Sequence, residues 1–308
     1  GNISKIANFG SHGPFYQVVD TILSLPFYFL EVNIFINNLL FLAITLIIVH
    51  FYFRNSSTEK YLLVIALFSN ITFCMYFFSW MQEIKIFSII LILTSLLLRI
   101  EADKRAGEIN KKWIGLFLLT CFLGNNLRYL FAPFVFALIP YLNKKHYHLL
   151  LITFILLVIH SLFLFTYLTA PYPYVYFKLF GPGVTYNNLF FTQLLHELGL
   201  KLSNFIYPGD NSYQGLLNPL SFILAISSTI LGYYSRDRFL QGTGIATTIF
   251  ITFIIITYHT WPGEFNRVLG IALFMNTFAF IRYFYSYKYI YWSCLIIVIS
   301  SSAYVLSI

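Results

Sequence analysis

Apolar residues in this chain come in long, nearly unbroken runs, such as Ile86 to Leu98 and Leu149 to Phe165, rather than at alternating positions. Strands of a membrane barrel would alternate apolar and polar side chains, so runs of this kind predict helices. At about 20 residues per crossing, they divide into segments near 36–53, 61–80, 84–99, 113–124, 128–142, 149–170, 218–234, 241–259, 265–284 and 288–307. The predicted fold is all-α, a polytopic transmembrane helix bundle of about nine or ten spans. The short segments 113–124 and 128–142, parted by Gly124-Asn125-Asn126-Leu127, read either as two short tilted helices or as one broken helix.

The polar stretches between these runs are unequal. Residues 171–217 form one long loop, in which Leu189 to Ile206 places Gln193, His196, Glu197, Lys201 and Asn204 opposite Leu194, Leu195, Leu198, Leu202 and Phe205. That spacing predicts an amphipathic helix along a membrane surface. Residues 1–35 form an interfacial segment, in which Phe15 to Leu30, kinked at Pro26, is a second such element. No internal repeat is visible, and the whole chain, 1–308, reads as a single transmembrane domain.

Composition strengthens the membrane reading. Hydrophobic residues make up 59% of the chain and charged ones 10%, against about 25% charged in soluble domains. Alternating the spans gathers Arg54, Lys60, Arg99, Lys104, Arg105, Lys111, Lys112, Lys144, Lys145, Arg236, Arg238, Arg282 and Lys288 on one side, thirteen of the 19 basic residues. By the positive-inside rule that side is cytoplasmic. Counting 113–142 as a single crossing would blur the bias, which favours two helices there. Abundant Phe, Tyr, Ile, Asn and Lys suggest an AT-rich genome and a prokaryotic plasma membrane. Cys74, Cys121 and Cys294 lie in apolar runs without paired spacing, as packing residues do.

Candidate chemistry therefore belongs to the opposite, extracytoplasmic face, where charge at membrane depth is costly and so selective. Glu83 and Lys85 sit in the short turn Ser79 to Lys85, close to the bilayer surface, and present a carboxylate and an ammonium together or simply anchor the interface. Arg128 follows Asn125-Asn126 and opens a span beside aromatic residues, a combination suited to a phosphate. His259, Glu264 and Arg267 cluster just before a late span, where Glu264 also fits as a first-turn acid paired with Arg267. His12, Glu83, His196, His259 and Glu264 carry donor groups for a divalent ion, but no tight ligand motif exists and no cofactor is expected. His50 and His160 read as packing residues. Walker, nucleophile-elbow, zinc-protease and dinucleotide motifs are all missing from the sequence.

The ordered set His12-Gly13-Pro14-Phe15-Tyr16, Met81-Gln82-Glu83, Asn126-Leu127-Arg128 and Glu264-Phe265-Asn266-Arg267-Val268-Leu269 resembles the GT-C fold membrane glycosyltransferases, in particular the bacterial relatives of protein O-mannosyltransferases and aminoarabinose transferases. The resemblance implies transfer of a sugar from a polyprenyl-phosphate donor to an acceptor on the outer face, with inversion at the anomeric carbon. It assigns the donor phosphate to Lys85, Arg128 and Arg267, and substrate contacts to His12, Tyr16, Glu83, His259 and Glu264. The family's catalytic carboxylate precedes the His-Gly-Pro-like segment, whereas Gly1 to Ser11 holds no Asp or Glu, so that carboxylate is expected upstream of Gly1. Expected partners are the lipid-linked sugar and membrane lipids, and no nucleic acid. A lipid-linked saccharide or small-solute transporter, and a non-catalytic structural membrane subunit, are the alternatives the sequence leaves open.

Overall fold

The computed structural model describes residues 34–52, 57–70, 83–127, 131–168, 199, 202–203, 212–257 and 262–286. Among these residues there are helices and turns and no strand. In chain order the elements are α1 (Ile34–Tyr52), α2 (Ser57–Ser69), α3 (Glu83–Arg105), α4 (Lys111–Leu127), a 3₁₀ helix (Ala132–Tyr141), a 3₁₀ turn (Lys144–His146), α5 (Tyr147–Leu168), α6 (Ser212–Ser235), α7 (Arg238–Thr257) and α8 (Pro262–Ser286). The all-α expectation holds. Nine of the ten expected segments overlap these helices, and 288–307 lies outside the described residues. Of the amphipathic stretch 189–206 only Gly199, Leu202 and Ser203 are described, each helical, and the segment 1–33 lies outside the description.

α3 is the core of the bundle. From Ile84 to Glu101 every residue except Ile92 and Arg99 is buried, as befits a helix that is apolar on all faces and surrounded by others. It packs against α1, α4, α7, α8 and the 3₁₀ helix. The run continues to Arg105, a turn and a half past the expected boundary, because Arg99 and Asp103, and Glu101 and Arg105, pair four residues apart along the helix.

The expected break after α4 is present. α4 ends at Leu127, and a side chain at Gly124 would meet the Phe131 ring at 2.7 Å. The next segment is a 3₁₀ rather than an α-helix, ten residues long, where runs beyond about four are uncommon. Pro133 at its start and Pro140 near its end each remove a backbone donor, and the tighter winding lets the segment lie close to α7. Phe134 packs on Phe250 at 5.3 Å between ring centroids, and a Cβ at Gly242 would stand 2.5 Å from the Ala137 carbonyl oxygen. Gly242→Ala is therefore expected to destabilise the protein by about 1–2 kcal/mol, read as a lowered unfolding midpoint of the purified protein.

α6 and α7 form a close hairpin built on small residues. Gly232 and Gly244 lie directly against backbone of the facing helix, and the Ser228 hydroxyl donates to the Leu240 carbonyl at 2.9 Å. Small residues that let helix backbones approach and hydroxyls that bond across them are the usual means of joining helices when water does not drive association. Arg236, at φ 59, ends α6 in the left-handed region, and Asp237 caps α7 by accepting from the Leu240 amide at 2.9 Å.

The surface is unusually apolar. Leu40, Ile44 and Ile47 on α1 and Leu151, Leu156 and Ile159 on α5 are all exposed, Leu156 at 59%. Exposed apolar area on this scale marks an interaction surface. Among the described residues one helical stretch, Arg238–Ile255, is long and apolar enough to cross a membrane.

Candidate functional site

Charged and polar side chains collect at the two ends of the bundle. At one end the Arg282 guanidinium, on the last turns of α8, donates through Nε to Glu59 at 3.1 Å and stands 3.6 Å through Nη1 from Asp237. It also lies over the Phe239 ring at 5.1 Å. Glu101 pairs with Arg105 at 2.9 Å, and the buried Tyr141 hydroxyl lies near Glu101, Asp237 and Arg282 without a hydrogen bond to them. The Arg282 pairs tie together the start of α2, the α6–α7 turn and the end of α8, with the end of α3 and Tyr141 of the 3₁₀ helix close by. The loops expected to share one side of the bundle thus do share one end.

In the sequence Arg282 stands among the basic residues of one side, and its partners are not apparent from its neighbours. The signal was there: Glu59, Glu101 and Asp237 are acids set among clustered cations at predicted span ends. Their convergence rests on pairs as far apart as 223 residues in the chain.

At the opposite end α3 begins, and of the residues singled out from the sequence Lys85 is the one whose side chain is described. Instead of lying in a surface turn, it occupies the first turn of α3, 1% exposed, and it is engaged in a polar or electrostatic interaction. Burying an ammonium costs several kcal/mol unless anionic or carbonyl groups surround it. Four residues on, Ile89 touches the Gly124 position of α4, so Lys85 lies one helical turn further out, on the face that meets the last turn of α4. The unbonded carbonyls and negative dipole end of α4 favour a cation there.

Asn125 and Asn126 are both buried in that last turn of α4. Asn125 Nδ2 donates to the Leu157 carbonyl of α5 at 2.9 Å and Asn126 Nδ2 to the Phe122 carbonyl at 2.8 Å. They fix α4 where the chain turns toward Arg128, which itself lies outside the described residues, as do His12, Tyr16 and His259. For Glu83, Glu264 and Arg267 the structure gives the helix position: Glu83 opens α3, and Glu264 and Arg267 lie in the first two turns of α8.

α3 and α8 begin at the same end of the bundle. The Phe87 ring of α3 meets Phe274 of α8 edge-on at 6.3 Å, and Asn70 at the end of α2 donates to the Gly270 carbonyl at 3.1 Å. Arg267 lies seven residues before Phe274, about two turns nearer the helix start. The backbone therefore brings the positions of Lys85 and Arg267 to the same end of the bundle, together with the last turn of α4.

Among the described residues no group of three His, Cys, Asp or Glu side chains could hold a metal ion. His160 packs its ring on Phe122 at 5.0 Å, the His50 carbonyl accepts from Lys60 at 2.7 Å, and Cys121 is buried in the core. Each is accounted for by packing or helix ends. No protein-family model, curated protein or solved structure matches this chain.

Proposed function

We propose that this chain is a polytopic integral membrane protein, and that it transfers a sugar from a polyprenyl-phosphate donor to an acceptor on the face where α3 and α8 begin. The bilayer half of the reading rests on the exterior. Every exposed tyrosine among the described residues (Tyr61, Tyr147, Tyr233, Tyr234 and Tyr285) lies at the Arg282 end, and exposed Val64, Leu149, Leu151 and Ile230 follow just beyond them. A ring of tyrosines beside cations, giving way to Ile, Leu and Val, is the profile of a membrane interface. The Arg282 end is then cytoplasmic and the Lys85 end extracytoplasmic, in a prokaryotic plasma membrane.

The single observation that carries the transferase half is the buried Lys85 ammonium. A fixed cation inside the bundle, at the end where the helix bearing Arg267 begins and the helix preceding Arg128 ends, is suited to a phosphate whose charge grows as the sugar leaves. In the reaction the acceptor oxygen attacks the anomeric carbon and the bond from that carbon to the phosphate oxygen breaks. The polyprenyl phosphate departs against Lys85, Arg128 and Arg267, and a carboxylate takes the acceptor proton. His12, Tyr16, Glu83, His259 and Glu264 are the proposed substrate contacts.

The test is binding of polyprenyl phosphate to the purified protein by native mass spectrometry. Lys85→Met is expected to weaken it roughly tenfold, the size of one lost charge-assisted bond, in protein that remains folded, with Lys85→Arg retaining most of the affinity. Equal affinity in the wild type and Lys85→Met would remove Lys85 from the site and the transferase reading with it.

A further inference from the structure

We infer that the Arg282 end of the bundle is seated on anionic lipid headgroups through a ring of cations on its rim, an inference that rests on the bilayer reading above. Lys111, Lys112, Lys144, Lys145, Arg236 and Arg238 are all exposed there. Among the described residues none of the six forms an ion pair, although Glu59, Glu101, Asp103 and Asp237 are paired a short distance inward with Arg282, Arg105 and Arg99. The end thus sorts its charge, with acids held inside and cations left outside. Glu108, in the loop between α3 and α4, is an exposed acid among them and leaves the rim strongly positive.

The four lysines also stand where their own helices disfavour them. Lys111 and Lys112 open α4 and Lys144 and Lys145 shortly precede α5, and neither helix has an acid in its first turn, whereas Arg238 opens α7 beside the capping carboxylate of Asp237. The positive end of a helix dipole repels a cation there, and an anionic layer facing the rim would offset that repulsion. A lipid surface fits better than a soluble polyanion because of the neighbours. Lys112 lies over the Trp113 ring at 5.7 Å, exposed Tyr147, Tyr233 and Tyr234 flank the cations, and exposed Leu149 and Ile230 lie next along the same helices. The cations are therefore at the height where hydrocarbon gives way to phosphate.

Trp113 supplies the probe. In a variant carrying Trp80→Phe, Trp261→Phe and Trp292→Phe, the whole protein is reconstituted in phosphatidylcholine vesicles, and Trp113 fluorescence is titrated with brominated phosphatidylglycerol or brominated phosphatidylcholine. The expected result is a preference for the anionic lipid of about tenfold, falling toward equality in Lys111→Gln/Lys112→Gln/Lys144→Gln/Lys145→Gln and in high salt. Equal quenching by both lipids would overturn the headgroup inference and leave the bilayer reading standing. Quenching by neither would overturn both. Tight binding of a single-stranded oligonucleotide without lipid preference would assign the rim to nucleic acid and overturn it as well. Should the triple tryptophan variant fail to assemble, the unsubstituted protein gives a second measure. Its unfolding midpoint is expected to be higher in vesicles of equal parts phosphatidylglycerol and phosphatidylcholine than in phosphatidylcholine alone, and an identical midpoint would count against the inference.

Discussion

Arg282→Met is expected to destabilise the protein by about 3 kcal/mol, seen as a lower unfolding midpoint of the detergent-solubilised protein. Removing one member of a buried ion pair typically costs about 3–5 kcal/mol because the partner is left buried and uncompensated. Here the arginine is 10% exposed and serves two carboxylates, Glu59 at 25% and Asp237 at 16%. The partial exposure of Glu59 lets water reach it and places the effect at the low end of that range. Methionine keeps much of the contact with Phe239, so the loss reports charge more than packing. Glu59→Gln added to Arg282→Met removes one stranded anion and is expected to restore part of the loss. An unchanged midpoint in the single variant would mean that Arg282 does not hold α2, the α6–α7 turn and α8 together.

Gly232→Ala is the second large effect, and its sign is informative. In an ordinary helix this change stabilises by about 1 kcal/mol, because alanine has the higher helix propensity. At Gly232 the added carbon would stand 2.3 Å from the Gln241 backbone nitrogen and 2.7 Å from its Cα, distances that no rotamer change relieves. α6 and α7 must then separate along a contact that also includes the Ser228–Leu240 hydrogen bond. The net expectation is a loss of about 3 kcal/mol, near the upper end of overpacking costs. A stabilised Gly232→Ala protein would show that the two helices are further apart than the structure has them.

Most of the helices are legible in the sequence, for a physical reason. Where apolar runs of about 20 residues alternate with short polar links, segment positions follow from length and hydropathy alone. The break at Gly124 to Leu127 was likewise readable, because glycine and asparagines between apolar runs mark a helix end. The 3₁₀ winding of Ala132–Tyr141 was not foreseen, since Pro133 and Pro140 announce a disturbed helix without specifying its pitch.

The two ends of the bundle differ in what could be read. Clustering of cations at one end follows from counting loops, but Arg282 meets Glu59 across 223 residues, and no local pattern encodes such a meeting. Lys85 was picked out as a charge near a membrane surface. That it is buried follows from α3 starting at Glu83 and from the last turn of α4 packing against α3, which is tertiary information. The partners proposed for it, Arg128 and Arg267, were named from their neighbours in sequence, and the structure adds the common end of the helices that carry or precede them.

All of the functional reading depends on hydrocarbon, not water, covering the exposed apolar faces of α1, α4, α5 and α6. In a background of Cys74→Ala, Cys121→Ala and Cys294→Ala, single cysteines placed by Lys145→Cys and Leu156→Cys can be treated in sealed membrane vesicles with a membrane-impermeant maleimide. Both sites are exposed on the protein, Leu156 at 59%. The position 145 thiol is expected to label rapidly from one side of the membrane, and the position 156 thiol to stay unlabelled from either side until detergent is added. Labelling of both thiols at similar rates in intact vesicles would show that water reaches α5, and would contradict the membrane assignment and the lipid-phosphate chemistry built on it.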